Sequence, residues 1–340
     1  MRRLEQIISL FPKARVLVVG DLILDEYIWG TVERISPEAP VPVVWATRRS
    51  FVPGGAANVA NNIRSFGADV RLIGVVGRDK NADTLLSELK KKGISLSGVI
   101  TDSKRHTTVK TRIIAGHQQV VRVDWEDVDC LGERANREIL RRIKGWLDYI
   151  DAIIIEDYGK GVINKHLLEG IFKLTRKVKK IVTVDPKEEH FKFYQGVTSI
   201  TPNRKELENA VRNLRISDST NRFKAYTDRL MTDEDIDNAA HQVMRYLRLG
   251  SLLVTLGEQG MRLFEKGLKS PQHIPAVAQE VYDVSGAGDT VIATFTLALA
   301  CGADKVEAAT LANFAAGIVV GKIGTAVTNR EELLNRIRQG

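Results

Sequence analysis

Two kinds of hydrophobic spacing alternate along the chain. Short continuous apolar runs, rich in Val and Ile, occupy 16–19, 70–76, 152–155, 181–184 and 252–254. Runs of that length and composition read as strands buried on both faces. Between them lie stretches with helical apolar spacing, at 57–66, 82–92, 132–146, 165–176, 235–247, 290–301 and 306–320. Each reads as a helix with a face on a core. The alternation predicts an α/β fold, three layers deep, with a mostly parallel central sheet. Ligands of such folds collect at the carboxyl ends of the strands. Gly20-Asp21, Glu156-Asp157-Tyr158 and Asp185-Pro186-Lys187 all follow strand-like runs.

Two regions break the alternation. Residues 26–50 carry Pro37, Pro40 and Pro42 among extended residues, and 107–124 reads as a hairpin turning near Ala115-Gly116-His117. Both are expected to form a small β lid inserted into one domain spanning 1–340. An ordinary edge hairpin fits the same pattern. Residues 212–233 are polar and weakly periodic, and are expected to form a surface loop or an irregular excursion.

Composition narrows the function classes. The chain has 340 residues, 44% hydrophobic and 27% charged, as in a globular protein with a full core. No apolar run approaches the ~20 residues of a membrane helix. The N-terminus lacks the layout of a signal peptide, so a cytoplasmic protein without membrane partners is expected. Cys130 and Cys301 are too few for a disulfide framework. The six histidines show no metal-ligand spacing. The net charge is +8, but the cations are scattered and no aromatic residues interleave them. That argues against nucleic acid and suits small phosphorylated ligands.

The richest chemistry lies in Asp283-Val284-Ser285-Gly286-Ala287-Gly288-Asp289-Thr290. Three small residues permit a tight turn before an apolar helical run. N–H groups at a helix start lack intrahelical partners and suit a phosphate. Asp289 beside such a site reads as a base that takes a proton from an attacking hydroxyl. A plain tight turn with a first-turn carboxylate is the alternative.

Together with Gly54-Gly55-Ala56-Ala57-Asn58-Val59-Ala60, this octet resembles the paired signatures of the PfkB/ribokinase family of carbohydrate kinases. The resemblance covers essentially the whole chain and implies a ribokinase-like fold. A narrower set resembles the kinase domain of bacterial ADP-heptose synthesis proteins. It comprises the run Arg34-Ile35-Ser36-Pro37-Glu38-Ala39-Pro40-Val41-Pro42-Val43, with His117-Gln118-Gln119-Val120-Val121-Arg122 and Asp157-Tyr158-Gly159-Lys160-Gly161. Asp185-Pro186-Lys187, Thr201-Pro202-Asn203, Gln279-Glu280-Val281-Tyr282 and Gly321-Lys322-Ile323-Gly324-Thr325 belong to it too. That resemblance implies ATP-dependent phosphorylation of D-glycero-D-manno-heptose 7-phosphate at its anomeric hydroxyl. Many such proteins continue into a nucleotidyltransferase domain. No His-x-Gly-His motif occurs here, so a kinase-only form is expected, with the later transfer done by another protein. Ser285 stands where a threonine is common.

The family also implies roles. Asp289 is the expected base, with Gly286, Ala287 and Gly288 framing the anion hole. Asp21, Asp25, Gly54, Gly55 and Asn58 are expected on the sugar, and Gln118 and Asp157 with them. Arg78, Arg112, Lys160 and Lys187 are candidates for the substrate phosphate, Arg as a fork and Lys as a point charge. Asn203 and Glu206 are expected near Mg²⁺, which Glu206 would hold through water. The same spacing also suits a helix cap. Thr255, Gly257 and Gly260 resemble the nucleotide loop, and Asn313 and Gly317 would flank adenine. The sequence leaves open a monovalent cation near the anion hole. A homodimer through lid strands is expected, because exposed strand edges seek partners.

Overall fold

The computed structural model describes the chain apart from residues 117, 220–222, 224–228, 278–279, 323 and 340. His117, Gln279, Ile323 and much of the 212–233 segment therefore lie outside the described residues.

Helix α1 (Arg2–Leu10) leads into β1 (Arg15–Gly20). Strands β2 (Leu22–Ile35) and β3 (Pro42–Gly55) then leave the main sheet. Helix α2 (Ala56–Ser65), β4 (Asp69–Val76), α3 (Lys80–Lys91) and β5 (Val99–Thr101) return to it. A second excursion, β6 (Thr108–Ala115) and β7 (Gln118–Trp125), precedes α4 (Glu133–Trp146), β8 (Ala152–Glu156), α5 (Lys165–Val178) and β9 (Ile181–Asp185). Next come β10 (Ser199–Ile200), α6 (Arg204–Ser217), α7 (Asp233–Leu247) and β11 (Ser251–Thr255). The chain ends with β12 (Met261–Glu265), β13 (Gln272–Ile274), α8 (Ala287–Ala300), α9 (Lys305–Val320) and α10 (Arg330–Gln339).

Among the described residues the main sheet has nine strands, in the order β13-β12-β11-β10-β9-β8-β1-β4-β5. Pairing is parallel from β5 to β11, and β12 and β13 add antiparallel strands at one edge. Alternate side chains on a strand enter opposite cores. Val16 and Val18 pack with α1, α2, α8 and α9, whereas Leu17 and Val19 pack with α4, α5 and α7. A strand buried on both faces cannot alternate apolar with polar, which is why the strand runs are continuous.

Residues 26–50 and 107–124 fall within or between β2, β3, β6 and β7. These strands form a separate four-stranded sheet, ordered β3-β2-β6-β7. β2 pairs antiparallel with β3 and parallel with β6, and β6 pairs antiparallel with β7. Trp45 and Trp125 lie on it, 70% and 64% exposed.

Two expectations need correction. Residues 212–217 are the last turns of α6 rather than loop, because Leu207, Val211 and Leu214 supply an apolar stripe buried where α6 packs on residues 188–193, α7 and β11. Helices α8 and α9 are apolar around most of their circumference rather than on one face, because they pack on each other as well as on the sheet.

Candidate active site

The mouth of α8 opens at the carboxyl ends of β8 and β9. Gly286 is its N-cap, with φ at +78°. A Cβ there would stand 2.7 Å from Thr325 Cγ2 and 2.9 Å from Asn58 Nδ2, so both φ and space require glycine. The Thr290 N–H makes a helical bond to Gly286 O at 3.0 Å. Gly288 and Asp289 lie in the first turn of α8, ahead of that bond, where N–H groups have no intrahelical acceptor and suit an anion. Ala287 differs: its N–H donates to Val284 O at 3.2 Å. Asp283 accepts the N–H groups of Ser285 (2.8 Å) and Gly324 (3.1 Å), which clamps the turn.

Asp289 is buried inside this mouth. Asn58 Nδ2 donates to one carboxylate oxygen at 2.6 Å, and the Tyr158 hydroxyl donates to the other at 3.0 Å. Burial pushes the Asp289 pKa up to about 6, and the two donated hydrogen bonds restrain the rise. Burial also raises the Tyr158 hydroxyl well above its usual range, so Tyr158 remains a donor. Thr290 Oγ1 donates to Asn62 Oδ1 at 2.9 Å, and Asn62 Nδ2 donates to Asn58 O at 3.0 Å. The two signature segments are thus tied across the site by side chains of α2 and α8.

Carboxylate oxygens of Glu156, Asp185 and Asp289 all lie within 4.8 Å of one another. Glu156 and Asp185 face each other at the ends of neighbouring strands. Glu156 is fully buried, and neither of its oxygens has a hydrogen-bond partner. Burial first, then Asp185 and Asp289, push its pKa well above the usual range. Asp185 is raised by burial first, then by Glu206 and Asp289. Buried carboxylates this close cannot all be ionised without a cation between them or a proton among them.

Sequence-predicted sugar residues divide into two groups. Asp25 belongs to the site: it pairs with Arg112, whose guanidinium also lies 5.4 Å from the Tyr27 ring centre. Gly54 passes so close that a Cβ would overlap the Asp25 carboxylate. Gly55, at φ +55°, caps α2 and presses on Asp21 O. Tyr27 Oη reaches Thr325 Oγ1 at 2.8 Å, which joins the second sheet to the α8 mouth. Asp21 is instead spent on the backbone. Its oxygens accept N–H groups from Tyr158 (2.9 Å), Lys160 (3.1 Å) and Val162 (3.1 Å). Burial, then Asp157, push its pKa to about 6. Asp157 is likewise engaged, by Tyr194 Oη (2.6 Å), His190 Nδ1 (2.7 Å) and Gly159 N–H (2.9 Å). Both carboxylates shape the 157–162 loop.

The candidate phosphate cations are also unequal. Lys160 pairs with Glu126 at 2.7 Å. Lys187 lies across Gly159 and contacts Glu188 at 3.2 Å. Its pKa is raised because Glu188 and Glu189 together outweigh burial, the largest single influence. Arg78 and Gln118 are exposed, and among the described residues neither bonds to the cluster around Asp289.

On the nucleotide side, Asn203 and Glu206 form a capping box at the start of α6. Asn203 Oδ1 accepts the Glu206 N–H (2.9 Å), and Glu206 Oε2 accepts the Asn203 N–H (2.8 Å). Burial raises the Glu206 pKa. Thr255 bridges to Asn203. Gly257 (φ +61°) and Gly260 (φ +82°) shape the loop after β11. Asn313 donates to Pro275 O at 2.7 Å, and Gly317 lies four residues on along α9.

The profile of the pfkB family carbohydrate kinases matches residues 13–332. This chain belongs to that family. The fold agrees. Ribokinase from Arabidopsis thaliana, solved with ribose and ATP, superposes with a TM-score of 0.72 at 19% identity, covering 96% of this chain and 99% of that one. Phosphofructokinase-2 from Escherichia coli, solved with potassium, gives 0.75 at 19% identity over 96% and 99%. Among curated proteins, the bifunctional protein HldE of Geotalea uraniireducens (strain Rf4) is 42% identical over 336 residues, 98% of this chain. HldE of Helicobacter pylori (strain J99) is 44% identical over 319 residues, 94% of this chain. The chain spans about 65% of the length of each of these two relatives. Among the described residues no helix is long and apolar enough to cross a membrane.

Several residues of this pfkB kinase site carry no distinct signal of their own in the sequence. Tyr158, Glu156 and Asp185 were visible only as members of strand-end segments. Neighbouring residues at a strand end point to opposite sides, so Glu156 enters the cluster and Asp157 turns toward His190. Lys110 gave no signal on its hairpin. Its Nζ lies 4.8 Å from the Tyr158 ring centre, and burial lowers its pKa.

Proposed function

We propose that this kinase transfers the γ-phosphoryl group of ATP to the anomeric hydroxyl of D-glycero-D-manno-heptose 7-phosphate, giving the 1,7-bisphosphate. The observation that carries the chemistry is Asp289, buried at the α8 mouth and held by Asn58 and Tyr158. With a pKa of about 6 it is ionised at neutral pH yet basic enough to take a proton. The anomeric oxygen bonds to the γ-phosphorus while its proton passes to Asp289. The bond to the β–γ bridging oxygen breaks and ADP leaves. The Gly288 and Asp289 N–H groups stabilise charge on the transferring group. Oxygen-only donors suit Mg²⁺. The unpartnered oxygens of Glu156, with Asp185 and a water-mediated Glu206, fit it. When bound, Mg²⁺ neutralises charge on the phosphates.

Similarity to the HldE proteins supports heptose 7-phosphate as the substrate. Arg112 on β6, Lys110 beside it, Lys160 and Lys187 would meet its phosphate. The four-stranded sheet would act as a lid. Its exposed Trp45, Val121 and Trp125 support pairing with a second copy; a monomeric mass by light scattering would remove that part. A cytoplasmic location and a monovalent cation beside the α8 mouth complete the proposal. Replacing K⁺ by choline in the assay tests the cation.

The deciding experiment is ATP/Mg²⁺ turnover on heptose 7-phosphate beside ribose, fructose and fructose 6-phosphate, with product position read by phosphorus NMR. A strong preference for the heptose phosphate and a new anomeric phosphate is expected. Preference for another sugar would replace the substrate and leave the base in position. Absence of turnover on all four would favour a silent sugar-phosphate sensor.

A further inference from the structure

The end of the main sheet opposite the active site carries a second cavity, of about 640 Å³, between α7 and the β12–β13 turn. Its position follows from register: Ser251, the first residue of β11, pairs with Glu265, the last of β12, whereas Thr255 at the other end adjoins Asn203. Glu156 and Asp185, at the carboxyl ends of β8 and β9, therefore lie at the opposite end of the same sheet.

The cavity is lined by four cations, Arg245, Arg248, Lys266 and Lys269, and by His241. Glu265 is the one acid in the lining, and Lys305 pairs with it at 3.4 Å. Among the described residues Arg245 Nε donates to His241 O at 3.3 Å, and the one acid of the lining is taken by Lys305 rather than by any of the four cations. Four like charges around one concavity repel each other, and an anion relieves that repulsion. The helix end does not oppose an anion strongly. Arg248, in the left-handed conformation at φ +56°, returns its N–H to Arg245 O and Met244 O, and Leu249 N–H bonds to Met244 O. These late carbonyls are satisfied within the chain. Met244, Leu249 and Leu268 give the cavity an apolar floor. Its volume is within the range of small-molecule sites.

We infer that this cavity binds an organic phosphate of nucleotide size, with its phosphates on the cations and its apolar part on that floor. The site is separate from the kinase site and goes beyond the proposed function. Such contacts weaken as salt screens them.

ADP is the probe, counted by equilibrium dialysis at low ionic strength on the full chain. One more equivalent is expected to bind to the wild-type protein than to Arg245→Gln/Lys269→Gln, while kcat/KM stays unchanged. The readout is the difference, so it stands even if the active site binds ADP poorly. Added salt is expected to abolish the same equivalent first. Equal counts in the two proteins would overturn the inference. A melting temperature lowered without a change in count would assign these cations to stabilising the end of α7 instead. If the double variant folds poorly, Lys266→Gln, which lies outside the helix, is expected to weaken the extra binding by ~5-fold or more, the scale of one lost charge-assisted contact. Unchanged binding in Lys266→Gln would also overturn it.

Discussion

The two ends of the main sheet handle charge in opposite ways. At the carboxyl ends, Glu156, Asp185 and Asp289 are packed within 4.8 Å of one another, and burial shifts every one of them. At the amino ends, Arg245, Arg248, Lys266 and Lys269 stand exposed around an open cavity. Charges removed from water change their proton affinity and can do chemistry. Charges left at the surface stay hydrated and can attract a ligand. The same sheet therefore separates reaction from simple binding by burial, although both ends suit phosphate.

The largest test of that contrast is Asp289→Asn. Turnover is expected to fall by ~10²-fold or more, the scale of a lost general base, with ATP binding retained. Near-normal turnover in a steady-state assay would remove Asp289 as the base. Next comes Glu156→Gln, which takes a charge from the acidic cluster without changing its shape. Turnover should fall by ~10-fold, with the Mg²⁺ dependence moved to higher concentration, as for a lost partner of a metal site. An unchanged Mg²⁺ titration would leave Glu156 outside the cation's reach.

A pH series sharpens the comparison further. Turnover by the wild type should drop as pH falls through about 6, because Asp289 then holds its proton. Stability runs the other way. The folded-state pKa of about 6 lies above the ordinary 3.8, so protonation favours the folded chain. That contribution is full below pH 3.8 and is lost as pH rises through about 6. Ionised Asp289 thus costs stability at pH 7, on the order of 3 kcal/mol. Asp289→Asn is expected to melt higher than the wild type at pH 7, with the gap closing toward pH 4. A lower melting temperature for the variant at pH 7 would count against burial as the cause of the shift. No comparable trend is expected for Arg245→Gln/Lys269→Gln.

Much of this architecture was legible in the chain. Continuous β-branched runs such as Val16–Val19 announced strands buried on both faces, and each expected strand is present. The octet ending in Asp289-Thr290 announced a helix start with a carboxylate in its first turn, as found. Asn203 and Glu206 allowed a cap as well as a metal role, and the cap is present. The α6 continuation past Val211 was missed because its polar exposed face hid a sparse apolar stripe.

What the sequence determined by itself is local: periodicity, turn chemistry, and which residue types stand at each strand end. Those depend on neighbours within a few positions. Only tertiary structure decided which acids meet. Asp21 and Asp157 looked as available as Asp25, yet folding committed both to the 157–162 loop. Glu156, Asp185 and Asp289 come from separate segments. Parallel pairing of β8 with β9 brings the first two together, and α8 packing against those strands adds the third. The pKa of each then follows from how much water that packing excludes, a quantity no single segment of the chain contains.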